Sequence, residues 1–407
     1  MKNKPNPGKI NRRRLLQQAS AAIAAPLLPG SVSAAEVINH PFTTQGLNGC
    51  QLLPGARFYV GIDNKGLWPN LTKLPNGEIA AAIYNHPSHG YGDNSDVELW
   101  ISNDGGITWT FRSKLSSHAE EPQGIRMNHA VGLNADDHLV ALVSGYRRGQ
   151  KLPMLKLQRC ISKDHGKTWD RQLLGIDIVP HGDIFKLPNG HLVCPAYRKL
   201  DDRPGHFRAS VIFSNDGGKT WGNEQVTVDD VNESHLIRRL DGTWLAVGRT
   251  KCRDRMDSAL PHGSGEIFIK STDEGKTWSE PKLISPQGQE NAHILELKDG
   301  RLLCSFTSRI PGLFGVVMRM SSDGGATWSL PVVLISTPAR DWHKTDCGYP
   351  SSIQLEDGSI VTAYYFGPKR PEWAAYGLPW HQRYHMGIAK WDLSVWPDSA
   401  PMKKQNQ

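Results

Sequence analysis

Four histidines recur at corresponding places along the chain: His129 after Asn128, His181, His235, and His293 two residues after Asn291. Imidazole titrates near neutral pH, so such a series can transfer protons, bind hydroxyl groups or ligate a metal. It can also simply hydrogen-bond neighbouring loops where strands begin. The ligands of a metal site would have to come from distant segments, because no compact ligand motif is present. No metal or other cofactor is expected. Six cysteines (Cys50, Cys160, Cys194, Cys252, Cys304 and Cys347) are scattered without a C-x-x-C pair, which argues against a thiolate zinc site or a redox dithiol. Cys194 and Cys304 lie in apolar, strand-like runs and read as small buried hydrophobes.

The elements that position these residues are set by a repeat. Ser-x-Asp-x-Gly-x-Thr-Trp occurs five times, at Ser102–Trp109, Ser162–Trp169, Ser214–Trp221, Ser271–Trp278 and Ser321–Trp328. Aspartate supplies oxygens to cap loop amides, glycine takes the positive φ of a turn, and Thr-Trp starts the next strand. The role is structural, so these aspartates are poor catalytic candidates. Between the boxes lie hairpin turns such as Leu74-Pro75-Asn76-Gly77, Leu187-Pro188-Asn189-Gly190 and Leu240-Asp241-Gly242. Each unit reads as four strands with the box between the third and fourth. Units begin near Leu67, Asn128, His181, Glu233, Asn291 and Tyr349, the last without a box. The fold expected is all-β: a six-bladed β-propeller of four-stranded antiparallel blades, spanning 55–395. Arg57 to Ile62 is a spare strand able to close the ring.

The 407 residues are 38% hydrophobic with 40 Gly, 27 Pro and 13 Trp, a composition that suits short strands and tight turns. The net charge of +7 comes largely from Lys2, Lys4, Lys9 and Arg12 to Arg14, and nothing in the remainder forms a basic stripe for nucleic acid. Asn11-Arg12-Arg13-Arg14-Leu15-Leu16, an alanine-rich apolar run and Val32-Ser33-Ala34 read as a twin-arginine export signal over 1–34. The run is too short for a permanent membrane anchor. A lead-in over 35–54, a tail over 396–407, a monomeric state and a periplasmic or secreted location complete the expectation.

The boxes resemble those of the sialidase (neuraminidase) superfamily over roughly residues 55–395. That family uses a tyrosine nucleophile paired with a glutamate, three arginines that grip a substrate carboxylate, and an aspartate acid/base. Glu233 in Asn232-Glu233-Ser234-His235, Arg249 sixteen residues on, Arg309 in Thr307-Ser308-Arg309 and Tyr349 in Gly348-Tyr349-Pro350-Ser351-Ser352 match its order and spacing. The resemblance implies that Tyr349 is the nucleophile, that Glu233 takes its proton, and that Arg249 and Arg309 bind the carboxylate. Where the family has Arg-Ile-Pro, this chain has Leu67-Trp68-Pro69 and no first arginine. Asp93 is the better placed of Asp93 and Asp96 for acid/base, although neither falls at the family's offset. Trp68, Tyr91, Trp342, Tyr365, Trp373 and Trp380 form a candidate rim for stacking on sugar faces, with His129, His181, His235 and His293 as further substrate contacts. The reading that follows is an exo-glycosidase acting on a glycan that ends in an acidic sugar. Two others stand beside it: a lyase or other uronate-processing enzyme, marked by an ultraviolet-absorbing product, and a carbohydrate-binding propeller that binds without turnover.

Overall fold

A computed structural model describes residues 51–397, except 89–94, 122–123, 148–154, 204, 251–264, 286–287, 340–343 and 369–382. All lie in the compact unit Ala34–Gln407. The expected leader, the acid/base candidate Asp93, and Cys50, Cys252, Tyr91, Trp342, Trp373 and Trp380 fall outside the described residues.

The chain enters through β1 (Gln51–Leu52) and β2 (Arg57–Asp63). It then folds as antiparallel four-stranded groups. The first is β3 (Leu67–Lys73), β4 (Ile79–Tyr84), β5 (Val97–Ser102) and β6 (Thr110–Lys114). Next come β7 (Gly124–Leu133), β8 (Leu139–Arg147), β9 (Gln158–Ser162) and β10 (Asp170–Leu173). A short β11 (Val179–Pro180) precedes β12 (Gly182–Lys186), β13 (Leu192–Lys199), β14 (Phe207–Ser214) and β15 (Gly222–Asp229). Then follow β16 (Val231–Arg238), β17 (Trp244–Thr250), β18 (Glu266–Ser271) and β19 (Lys282–Leu283). After them run β20 (Gln289–Glu296), β21 (Leu302–Ile310), β22 (Leu313–Ser321) and β23 (Val332–Thr337). The last group is β24 (Thr345–Gln354), β25 (Ile360–Pro368) and β26 (His385–Trp391), with β2 as its outer strand. The β2–β26 pairing runs from Arg57 opposite Lys390 to Asp63 opposite His385.

The result is an all-β, propeller-like arrangement of four-stranded sheets. Strands buried on both faces are apolar throughout, as in β4, so each sheet can pack against two neighbours. Val193 and Val211 meet Leu236 and Trp244 of the following sheet, while Cys194 and Ile212 pack back against Val140 and Leu142. Ile79 and Ala81 of the first sheet share a layer with Val361 and Ile388 of the last, which brings the series back on itself.

Two features depart from the simple repeat. Strands β7 and β12 pair in parallel, joining two four-stranded groups into one nine-stranded sheet with β11. Gly132 permits this: a Cβ there would lie 1.9 Å from the Ile184 carbonyl oxygen. In addition, β1 adds a fifth strand to the β20–β23 sheet by pairing with β23, and Leu53 behind it is buried in the core. The expected lead-in thus takes part in the fold from Gln51 onward.

The repeated boxes connect the third and fourth strands of five groups. At the first, the buried Ser102 hydroxyl accepts from Gly106 N at 2.9 Å and donates to Asp104 at 2.8 Å. The Asp104 carboxylate accepts from Ile107 N and Thr108 N at 3.0 and 2.9 Å. The same pattern holds Asp164 and Asp216, and these carboxylates stay below the usual range because, against some desolvation, the bonds favour the ionised form. Cys160, Cys194 and Cys304 are buried thiols. Among the described residues no helix is long and apolar enough to cross a membrane.

Candidate active site

The innermost strand of nearly every group is broken near its start by a bulge. Register shifts occur between Leu67 and Asn70, Arg126 and Asn128, Asn232 and His235, Glu290 and His293, and Gly348 and Ser351. A bulge re-aims side chains that strict alternation would send to opposite faces. Four non-glycine residues at these bulges adopt left-handed backbone: Trp68 at φ 54°, Glu233 at 41°, Asn291 at 57° and Tyr349 at 46°. Gly182 takes φ 79° at the corresponding point of β12. Such conformations cost on the order of 1–3 kcal/mol each and persist where surrounding structure demands them. All five residues line one pocket at the centre of the sheets, together with Asn70, Asn128, His129, Tyr146, His181, Tyr197, His235 and His293.

At its base Tyr349 donates its hydroxyl to Glu233 Oε1 at 3.0 Å. The other oxygen, Oε2, accepts from Arg249 at 2.7 Å and from Asn291 Nδ2 at 2.5 Å. Burial pushes the Tyr349 phenol well above its ordinary value, and the negative charge of Glu233 adds to the rise. The phenol is therefore neutral and needs a base, and a carboxylate held in hydrogen-bonding contact is one. Trp68 stands beside it, its ring 6.1 Å from that of Tyr349 and stacked on Tyr84 at 5.2 Å. Tyr365, proposed for the rim, is instead buried behind these rings and donates to Asp346 at 3.0 Å.

The arginines lie differently from the expectation. Neither Arg249 nor Arg309 is among the residues lining the pocket. Both are clamped by Glu290, which is fully buried: Arg249 Nε lies 2.8 Å from Glu290 Oε2, and Arg309 Nη1 bonds Glu290 Oε1. Arg309 also reaches Asp346 at 3.4 Å, whose other oxygen accepts from the Tyr384 hydroxyl at 2.8 Å. Burial opposes the charge of both arginines, but Glu290 outweighs it, aided by Glu233 at Arg249 and by Asp346 at Arg309, so both remain cations. Burial pushes the Glu266 carboxyl well above the usual carboxylate range.

Asp183 does not itself line the pocket but is a hub for three residues that do, Asn70, His235 and His293. Its Oδ1 accepts from Asn70 Nδ2 at 2.8 Å, and its Oδ2 lies 3.1 Å from His235 Nε2 and 3.6 Å from His293 Nε2. Desolvation works against the Asp183 charge, but the two imidazoles overcome it and keep the carboxylate ionised. Burial pushes His235 down to about 4, helped by repulsion from His293, and burial pushes His129 to about 4 as well. His181 is lowered by burial too; its Nδ1 lies 3.2 Å from the Ser234 carbonyl, which fixes the proton there and leaves Nε2 as an acceptor. The ligand atoms of Asp183, His235 and His293 lie within 4.8 Å of one another, the spacing of a metal site. However, His235 Nδ1 accepts from Ile294 N at 3.3 Å, which puts the proton of the neutral ring on Nε2, facing Asp183. A donor, rather than a ligating lone pair, meets the carboxylate.

A profile of the BNR repeat-like domain matches residues 78–362. The chain belongs to this family, within the sialidase superfamily. A sialidase of Micromonospora viridifaciens is 24% identical over 406 residues, covering 88% of this chain and 58% of that protein. This BNR-repeat chain thus spans little more than half the length of that relative. A sialidase of Bacteroides fragilis (strain YCH46) is 22% identical over 399 residues, covering 86% and 68%. Among solved structures, a protein of unknown function from Dyadobacter fermentans superposes with a TM-score of 0.66 at 20% identity, over 85% of this chain and all of that one. The Trypanosoma rangeli sialidase in complex with sialic acid gives 0.58 at 13% identity, over 83% and 59%. At such identities the superpositions speak for the fold alone.

Of the BNR-repeat residues singled out from sequence, Tyr349, Glu233, Trp68, His129, His181, His235 and His293 converge on the pocket. Arg249 and Arg309 stand behind it. Asp96, the other carboxylate considered for acid/base, is buried against His118 at 2.8 Å and Ser116 at 3.2 Å, away from the pocket. Sequence reading missed Asp183, Glu290, Asp346 and Asn70. The available signal was position: Glu290 directly precedes Asn291, and Asp346 comes three residues before Tyr349, both at unit starts.

Proposed function

We propose that this protein is an exported, sialidase-like exo-glycosidase that hydrolyses a terminal sugar from a glycan, on a ring of six blades when the two halves of the nine-stranded sheet are counted separately. The observation that carries the reading is the Tyr349–Glu233 hydrogen bond at the base of a central pocket. In the first step the Tyr349 oxygen attacks the anomeric carbon while its proton passes to Glu233 Oε1. The bond from that carbon to the leaving oxygen breaks, and the leaving oxygen takes a proton from an acid. We assign that acid to Asp93, in the 89–94 segment. In the second step water, deprotonated by the same acid now acting as base, displaces Tyr349, and the phenolate recovers its proton from Glu233. Arg249 holds the Glu233 carboxylate in place.

The carboxylate-bearing sugar implied by the resemblance rested on Arg249 and Arg309, and both already have carboxylate partners; the kind of sugar is argued below. Trp68 and the histidines supply the wall and the polar contacts. The leader over 1–34 supports export to the periplasm or cell exterior, and a monomer is the state proposed. Incubating purified protein with a panel of aryl glycosides and following aryl release tests the reading. Release that also proceeds in the Tyr349→Phe variant would point to another nucleophile. An ultraviolet-absorbing unsaturated product from uronate polymers would instead support a lyase, and binding without turnover a carbohydrate-binding module.

A further inference from the structure

We infer that the pocket selects a terminal sugar that carries no carboxylate, because Glu290 occupies, between Arg249 and Arg309, the place a substrate carboxylate would take. The inference rests on the glycosidase reading only for the word terminal; the electrostatic argument concerns binding and stands without it.

The charges decide it. Arg249 and Arg309 are met by Glu233, Glu290 and Asp346, so the group carries one more negative charge than positive. Asp183 adds another anion, held against the pocket-lining His235. Among the described residues that line the pocket there is no lysine and no arginine. From the described groups, a carboxylate entering within about 5 Å of Glu233 meets net repulsion, which at an effective dielectric constant near 20 weakens binding on the order of 100-fold or more. It would also lose its hydration without gaining a cation.

The hydrogen-bonding groups agree. The amide nitrogens of Asn70 and Asn291 are committed to the carboxylates of Asp183 and Glu233, at 2.8 and 2.5 Å. That fixes the orientation of both amides, and their oxygens are buried without a hydrogen-bond partner. An amide oxygen accepts, so its natural complement is a hydroxyl or a water; a carboxylate, which only accepts, is the wrong complement. Leu67 stands where the family has its first arginine, and the indole of the next residue, Trp68, gives an apolar wall next to Tyr349, suited to the C–H face of a pyranose. Two arginines with an open gap between them would have read as a site for an acidic sugar. Here the gap is filled from within, and Glu290 is the residue that sets specificity.

Two measurements on the whole chain test this. Turnover is compared on aryl glycosides of neutral hexoses, deoxyhexoses and pentoses in both anomers, beside the aryl sialoside and aryl uronides. Titration calorimetry with free neutral monosaccharides, N-acetylneuraminic acid and glucuronic and galacturonic acids measures binding without catalysis. The expected result is at least one neutral sugar preferred 100-fold or more over every acidic one. In Glu290→Gln, which removes one negative charge and leaves the Arg249–Arg309 group with no net charge, the gap should narrow at least tenfold by improved binding of the acidic sugars. An acidic sugar bound or cleaved as well as the best neutral one overturns the inference, as does binding of neither class at millimolar concentration. Neutral-selective binding with no turnover at all would uphold it while removing the glycosidase reading. Should Glu290→Gln fail to fold, the wild-type comparison still decides.

Discussion

Replacing Tyr349 by Phe deletes one oxygen and little else, which makes the consequences separable. Glu233 Oε1 loses a donor at 3.0 Å, while Oε2 keeps Arg249 at 2.7 Å and Asn291 at 2.5 Å, so the carboxylate stays fixed. The ring contacts to Trp68 and His181, both at 6.1 Å, are untouched. Losing one hydrogen bond to a charged acceptor should lower stability by about 1–3 kcal/mol. If the hydroxyl merely steadied Glu233, kcat/KM would fall by a comparable energy, about 10-fold to 100-fold. Loss of a nucleophile should reach about 1,000-fold or more, equivalent to about 4 kcal/mol off the transition state. The assay is kcat/KM on the aryl glycoside that the wild type cleaves fastest, beside urea denaturation to measure stability on the same preparation. Mass spectrometry of wild type quenched during turnover should also find a glycosyl adduct on the peptide bearing Tyr349. A variant that unfolds normally and keeps more than a hundredth of wild-type kcat/KM would refute the assignment.

Stability should depend on pH through His129. Its folded value of about 4 lies below the ordinary 6.5, so between those limits the unfolded chain takes up a proton that the folded chain refuses. The stabilisation is complete above about pH 6.5 and is lost as pH falls towards 4, by up to about 3 kcal/mol, and His129→Asn should flatten that part of a denaturation-versus-pH curve. Ser102→Ala strands the buried Gly106 N–H, now paired at 2.9 Å, and should cost about 1–3 kcal/mol in chemical denaturation with kcat unchanged. Finally, burial pushes the Cys160 thiol up to about 12 and raises Cys194 and Cys304 as well, so iodoacetamide should label none of the three in native protein and all of them in urea.

What could be read from the chain alone follows from how local each determinant is. The box chemistry is contained within eight residues, so Ser102–Trp109 announces its turn without knowledge of anything distant. The parallel β7–β12 pairing depends on Gly132 meeting Ile184 across two groups, and no local pattern marks that approach. At the site, the Tyr349–Glu233 contact spans 116 positions and was reached through a family pattern rather than through periodicity. The place of Glu290 was hidden for a different reason. In an unbroken strand Glu290 and Asn291 would face opposite sides, but the bulge between Glu290 and His293 breaks that alternation. Both residues consequently bear on the Glu233–Arg249 group, and an alternation rule applied to the sequence separates them.

Closing the last sheet with β2 also has a consequence in time. In synthesis β2 is made first among the described long strands, and its partner β26 follows only after more than three hundred further residues. At 5–20 residues per second that is a wait of roughly 15 to 65 s, during which the edge of β2 has no native mate. The described sheets cannot be finished piece by piece in chain order, and β2 is also among the last strands to be seated. A partner that occupies β2 during that interval would hold the ring open, and release of β2 would then complete the whole structure at once.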